Sequence, residues 1–460
     1  MSSSGVSANR SVLPQVFKAY DVRGLVPEQI DAHFACSAGA AFVRVTGAQG
    51  GSVVVGHDMR SSSPDLAQAF AQGATSADAD VVMIGLASTD QLYFASGKLE
   101  IPGAMFTASH NPARYNGIKL CRARAVPIGL ETGLAEIRDL VASGEPFPNV
   151  RRGVVTAVDL LSDYADHLHA LVPVVGRRLK VVVDAGNGMA GHTATACLGD
   201  LDVDLVPMYF ELDGTFPNHE ANPIEPANMR DLQDRVRQEH ADLGLAFDGD
   251  ADRCFLVDER AKIVSPSALT ALIAARELAK EPGATVIHNL ITSRAVSEIV
   301  SERGGRPVRT RVGHSFIKAK MAETNAIFGG EHSGHFYFRD FWRADSGMLA
   351  ALHVLAALAE SEQPMSSLVA EYTRYFSSGE INSEVADQDA AMRGVERQYV
   401  DTPGVRVDHL DGLSVASDDW WFNVRTSNTE PLLRLNVEGQ DEATMVSLRD
   451  DVLATIRSRS

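Results

Sequence analysis

Cysteine is scarce, with four in 460 residues at positions 36, 121, 197 and 254 and no paired spacing among them. That excludes a disulfide framework or a zinc ribbon and leaves four reduced, buried thiols as the expectation. Long apolar runs are missing too. The most apolar helical stretch, residues 348–359, contains His353 and is too short for a hydrocarbon layer of about 30 Å, so no membrane partner is expected. Positive charge is in deficit, 42 Lys and Arg against 60 Asp and Glu, for a formal −18. Such a field repels polyanions and argues against a nucleic-acid partner. Residues 1–12 are rich in Ser with no apolar run behind them, so no secretory signal is read and a cytoplasmic location is expected.

What is present is the composition of a folded enzyme, 45% hydrophobic and 22% charged, at a length that calls for roughly three or four domains. Short β-branched runs at 53–55, 81–84, 180–183, 243–247 and 285–288 alternate with helical patterns, the rhythm of α/β architecture. Three of these runs end in polar loops, at 56–58, 184–188 and 289–293, which suggests three related α/β domains. Alternating runs at 420–424 and 432–437 read as a smaller α+β unit. Polar or Pro-containing breaks divide the chain into 1–152, 153–258, 259–368 and 369–460.

Each segment carries one unusual loop. The first holds Thr107-Ala108-Ser109-His110-Asn111-Pro112, with Lys119 following. A serine needs a neighbouring base or charge to become a nucleophile, and His110 and Lys119 offer both, so Ser109 is the candidate. Ser-His-Asn-Pro is also an ordinary turn, and no Gly-x-Ser-x-Gly elbow surrounds it. The second loop is Asp248-Gly249-Asp250-Ala251-Asp252-Arg253. Carboxylates at i, i+2 and i+4 in a tight turn converge on one hard cation, and three of them with open coordination sites suit Mg2+ carrying a phosphate oxygen. An EF-hand fails here because Arg253 stands where the turn glycine belongs and the flanks read as strands.

The third loop, Gly329-Gly330-Glu331-His332-Ser333-Gly334-His335, offers a carboxylate and a hydroxyl among small residues, a pattern suited to sugar hydroxyls; His314 lies upstream. Two histidines in five positions are also compatible with a metal pair. The fourth, Arg425-Thr426-Ser427-Asn428-Thr429-Glu430-Pro431, combines an Arg fork with hydroxyl and amide donors and suits a phosphate cradle, though a hairpin turn with an incidental Arg has the same look.

Together, in this order and spacing, the four loops resemble the α-D-phosphohexomutase superfamily, and within it the bacterial phosphomannomutase/phosphoglucomutase branch. The likeness runs from Phe17-Lys18-Ala19-Tyr20-Asp21-Val22-Arg23-Gly24, through residues 216–223 and 312–318, to the fourth loop. It implies four domains around a central cleft: three related α/β domains with mixed sheets and a smaller C-terminal α+β domain. It implies that Ser109 is a phosphorylated nucleophile which, with Asp248, Asp250 and Asp252, holds Mg2+. Arg23, His110, Lys119 and Arg253 then surround the transferring phosphoryl, and Tyr20 lines the cleft. Glu331, Ser333 and His314 match sugar-side contacts; Arg425, Ser427, Asn428 and Thr429 match the cradle for the other phosphate.

The implied reaction interconverts hexose 1-phosphate and hexose 6-phosphate, of mannose or glucose, through a hexose 1,6-bisphosphate that serves as intermediate and activator. Hexose phosphates are the expected partners of a monomer or weak dimer. Tyr115 and His332 stand where phosphoglucosamine mutases usually carry Asp and Gln, which makes an amino sugar the alternative substrate. Two departures are visible: Asn289-Leu290-Ile291-Thr292 lacks a lysine found in some dual-specificity members, and a frequent Thr-Pro reads Thr89-Asp90. The proton carrier stays open among His110, His314 and Lys119. A serine phosphohydrolase and a non-catalytic sugar-phosphate sensor are the rival classes.

Overall fold

A computed structural model describes residues 12–144, 152–426 and 432–458, and the chain divides into two compact units, 1–264 with 333–368 and 265–332 with 369–460. Two mixed sheets organise the first unit. In one, Ser52–His57 lies between Gly103–Phe106 and Asp80–Leu86, all parallel, and Val155–Ala157 extends the parallel part. Tyr115–Arg122 runs antiparallel beside Gly103–Phe106 and carries Val22–Leu25 on its other edge. Val53, Val54 and Val55 are fully buried, as expected of a β-branched run covered on both faces. The helices Ala32–Thr46 and Ser63–Ser76 cross so closely that a Cβ at Gly73 would lie 1.8 Å from the Cys36 carbonyl oxygen. Only glycine fits there.

The second sheet is centred on Leu179–Asp184, with Leu243–Phe247 and Val203–Met208 parallel to it. Cys254–Asp258 and Ile263–Val264 continue it in antiparallel sense. The helix Gly347–Ala359 is buried along its whole length, which explains why it is apolar on every face. No helix among the described residues is long and apolar enough to cross a membrane.

In the second unit, Thr285–Asn289 lies between Arg306–Thr310 and Phe328–Gly330, all parallel, with the helices Pro266–Lys280, Arg294–Glu302 and His314–Thr324. The remainder is an antiparallel sheet in the order Phe376–Glu384, Leu432–Gly439, Trp420–Thr426, Leu413–Ala416, Arg406–Asp408. Val395 of Gln388–Tyr399, with Val452 and Ile456 of Glu442–Arg457, shares a core with Phe422, Leu433 and Leu435 of this sheet. The α/β rhythm and the different texture of the C-terminal segment are both as expected from the sequence. The runs at 53–55, 81–84, 180–183, 243–247 and 285–288 all form strands. Their polar loops follow the carboxyl ends of the strands, where α/β sheets present functional groups.

Candidate active site

Gly103–Phe106 runs into the serine loop and Tyr115–Arg122 returns from it, pairing Met105 with Lys119. One hairpin therefore carries both Ser109 and the lysine. Ser109 adopts a left-handed backbone, φ 50°, a conformation uncommon outside glycine and one that functional sites retain at a cost. Its N–H donates to Thr107 Oγ1 at 2.9 Å. Its hydroxyl donates to Asp248 Oδ2 at 2.7 Å, and His110 Nδ1 lies 3.2 Å from Ser109 Oγ. Arg23 reaches over the loop from Val22–Leu25, donating to Asn111 Oδ1 at 2.6 Å and to Asp21 Oδ2 at 2.5 Å. Tyr20 sits in the adjoining bend, which the Lys18 N–H closes by donating to the Asp21 carbonyl at 2.8 Å.

The acidic loop joins the antiparallel strands Leu243–Phe247 and Cys254–Asp258, a setting that has nothing of the helix-flanked EF-hand. Ala251 is left-handed, φ 60°, and the turn brings one oxygen each of Asp248, Asp250 and Asp252 within 4.8 Å of one another. All three side chains are buried. A Cβ at Gly249 would lie 2.4 Å from the Ser109 carbonyl oxygen, so glycine lets the acidic and serine loops touch. Lys119 Nζ bridges Asp250 Oδ2 at 2.7 Å and Asp252 Oδ2 at 2.5 Å, and Arg253 Nε donates to Asp248 Oδ2 at 2.9 Å. Thr89 Oγ1, at the start of the helix Thr89–Leu99, donates to Asp250 Oδ2 at 2.5 Å.

Burial and charge act on these groups in opposite senses. Burial opposes the charge of Asp250, but the Lys119 ammonium outweighs it and holds that carboxyl well below the usual range. Asp252 is pushed well above it by burial and by the Asp250 charge. Burial also opposes the Lys119 charge, yet Asp250 and Asp252 keep the ammonium well above its ordinary value. Burial, then Arg253 and Arg23, pushes the His110 imidazole well below its own, so it is neutral at pH 7. Asp250 Oδ1 and Asp252 Oδ1 are buried without a hydrogen-bond partner among the described residues. Two such acceptors beside a third carboxylate fit a divalent metal, with Ser109 Oγ adjacent as a further oxygen.

Ser333 Oγ lies 3.0 Å from His335 Nδ1, and His335 Nε2 is 3.6 Å from Asp252 Oδ1 and 4.0 Å from Asp345 Oδ2. Sequence reasoning offered His335 only as one half of a possible metal pair with His332 and missed Asp345 altogether. The only sequence signal was the position of His335 two residues after Ser333.

In the second unit, Glu331 Oε1 accepts from Asn289 Nδ2 and from the Gly313 N–H, both at 3.1 Å. Gly313 precedes the helix that His314 opens, so one carboxylate ties the sugar-loop candidate Glu331 to the start of that helix. Arg425 is buried near the end of Trp420–Thr426, and its Nη2 donates to Glu380 Oε2 at 2.7 Å. Nη1 has no partner among the described residues. Ser427, Asn428 and Thr429 lie outside the described residues.

Comparison with known proteins agrees with this arrangement. Domains I, II and III of phosphoglucomutase/phosphomannomutase, described as alpha/beta/alpha, match residues 14–146, 162–262 and 265–375, and its C-terminal domain matches 380–455. A phosphomannomutase of Escherichia coli is 40% identical over 453 residues, covering 96% of this chain and 99% of its own length. A Xanthomonas campestris protein described as phosphohexose mutases is 40% identical over 451 residues, covering 96% and 98%. Among solved structures, a phosphoglucomutase/phosphomannomutase family protein of Burkholderia thailandensis matches with a TM-score of 0.88 at 33% identity, over 96% of this chain and 97% of that one.

Proposed function

The chain belongs to the phosphoglucomutase/phosphomannomutase family and is a phosphohexomutase, and on that premise we propose that Ser109 carries the phosphoryl group between the two ends of the sugar. The observation that carries this reading is the Ser109 hydroxyl, 2.7 Å from Asp248 in a left-handed turn beside three converging carboxylates. Phospho-Ser109 passes its group to the free hydroxyl of a hexose 1- or 6-phosphate. The Oγ–P bond breaks, a new O–P bond forms on the sugar, and the proton lost by the sugar hydroxyl is balanced by one gained at Ser109 Oγ. The resulting 1,6-bisphosphate turns end for end and returns its other phosphoryl to Ser109.

Such transfer needs in-line positioning and charge neutralisation above all. Asp248, Asp250 and Asp252 would hold Mg2+, which would supply charge neutralisation to phosphoryl oxygens. Arg23, Lys119 and Arg253 bring positive charge to the same place. Lys119 Nζ ion-pairs with Asp250 and Asp252, which places its charge beside the acidic loop. Neutral His110, 3.2 Å from Oγ, takes the Ser109 proton when the serine attacks and returns it when the serine leaves. Glu331, Ser333 and His314 read sugar hydroxyls, and Tyr20 contacts substrate. Arg425, with Ser427, Asn428 and Thr429, holds the distal phosphate. A carboxylate that reads hydroxyls 3 and 4 leaves carbon 2 unread, so mannose and glucose phosphates both serve as substrates.

The test is the intact mass of the purified protein before and after incubation with glucose 1,6-bisphosphate and Mg2+. One added phosphoryl mapping to Ser109 is expected, with turnover abolished by chelation and restored by Mg2+. No gain at Ser109 overturns the nucleophile and favours a sugar-phosphate sensor. Release of inorganic phosphate in place of the isomer favours a phosphohydrolase.

A further inference from the structure

The loop after Ser52–His57 ends in Arg60, whose side chain is 1% exposed. A guanidinium has five N–H donors, and here all five are used. Nε donates to Asp58 Oδ2 at 3.2 Å; Nη1 donates to the carbonyls of Pro112 at 2.9 Å and Tyr115 at 3.0 Å. Nη2 donates to the carbonyls of Ser109 at 2.8 Å and Asn111 at 2.7 Å. Four of the five donors therefore end on the backbone of one loop, the one that carries the serine. Asp58, itself fully buried, also accepts from the Arg60 N–H at 3.0 Å and from Ser63 Oγ at 2.5 Å, which fixes the base of the fork.

The guanidinium is covered from the second sheet's side. The Phe216 ring lies 5.2 Å from Cζ, and a Cβ at Gly214 would come within 2.7 Å of the Arg60 Cα. Burying a cation away from water is costly unless each donor is satisfied. A Ser109 loop that stood on its own turn hydrogen bonds would not require one. The carbonyls that Arg60 gathers belong to the residue with φ 50° and to its neighbours, so the cation acts on the segment whose backbone conformation sets the direction of Oγ.

We propose that Arg60 is a positioning residue for phosphoryl transfer, holding the serine loop by four carbonyls so that Ser109 Oγ stays aimed at the acidic loop. The inference rests on the reading of Ser109 as the nucleophile. What matters is the planar fork: Lys keeps the charge but offers three donors on one tetrahedral nitrogen, which cannot reach four carbonyls and Asp58.

Arg60→Lys and Arg60→Gly are compared with wild type by steady-state kinetics and by the rate at which Ser109 gains a phosphoryl from glucose 1,6-bisphosphate. A displaced nucleophile costs about 100-fold in kcat with KM for the hexose phosphate nearly unchanged, and the phosphorylation rate falls in parallel. Ethylguanidinium restores part of the Arg60→Gly rate with saturation, whereas ethylammonium does not. Wild-type kcat in the folded Arg60→Lys protein, or a loss that merely follows the fraction unfolded, overturns the proposal. Should both Arg60 variants fail to fold, Asp58→Asn, which removes the charged acceptor of Nε at the base of the fork, is expected to lower kcat several-fold at constant KM; an unchanged kcat in the folded variant overturns it. If wild-type Ser109 never gains a phosphoryl, the nucleophile reading has failed. If it does and the variants match its rate, only the role of Arg60 has failed.

Discussion

Around Ser109 the buried atoms left without partners among the described residues carry both signs: the carboxylate oxygens Asp250 Oδ1 and Asp252 Oδ1, and the guanidinium nitrogens Arg23 Nε and Arg253 Nη2. Around Arg425 in the second unit the picture is simpler. One half of a fork is filled by Glu380, and the other half, Nη1, has no partner among the described residues. A cluster open to a cation and an anion at once suits a metal together with a phosphoryl group. A fork with a single carboxylate seated in it suits recognition of one anion and offers nothing that could move a bond. The two clusters are thus built on different plans: opposed charges locked close together in the first unit, and a half-satisfied cation in the second.

The largest effect should come from removing the oxygen proposed as the nucleophile. Ser109→Ala is expected to lower turnover on the order of 10^4-fold or more, with hexose-phosphate affinity by calorimetry near wild type. Residual turnover within tenfold of wild type in a preparation free of other mutases would erase the contrast between the two clusters. Arg425→Ala tests the other side. Loss of a charge-assisted contact to a distal phosphate is expected to reduce kcat/KM by about 100-fold, equally for mannose and glucose 1-phosphates, which differ only at carbon 2. Arg425→Lys should recover little. A defect confined to one sugar would mean that Arg425 reads the hexose.

The smallest effect sharpens the claim that the first unit is pre-locked. Asp90, beside Thr89, accepts from Tyr164 Oη at 2.7 Å and from Ser346 Oγ at 2.6 Å. Burial pushes its carboxyl up from 3.8 to about 6 even though the hydroxyl donors of Ser346, Ser88 and Tyr164 oppose the rise. Between about pH 4 and 6 the folded state therefore holds more protons than the unfolded state. Stability should fall as pH rises through that window, by at most about 1.4 kcal/mol per pH unit, and level off above it. Hydrogen exchange of the helix Thr89–Leu99 should show this slope in the wild type and lose it in Asp90→Asn. An unchanged slope in the variant would assign it to other groups.

Features made of neighbours in sequence were the legible ones. The run at 243–247, the turn of three carboxylates and the nearness of His110 and Lys119 to Ser109 declare themselves because these residues are close in sequence. Arg60 did not, because its partners are backbone carbonyls 49 to 55 residues further along, and a carbonyl has no letter in a sequence. Asp90 looked only like a substituted proline, since the two hydroxyls that hold its Oδ2, from Tyr164 and Ser346, are 74 and 256 positions away. His335 was read only as a possible metal partner of His332 for the same reason: Asp252 and Asp345, its neighbours in the fold, are 83 and 10 positions away.

The contact at Gly249 bears on how the chain matures. Ser109 and Asp248 of the acidic turn are 139 positions apart, and their loops touch through a gap that a single methyl group would close. Closing so long a loop is among the slow, entropically expensive steps of folding, so native-like helices and strands can form well before the hydroxyl meets its carboxylates. A nascent or partly refolded molecule is therefore chemically silent. Enzymatic activity regained after dilution from denaturant should lag the circular-dichroism signal, and the length of that lag reports when the two loops come into register.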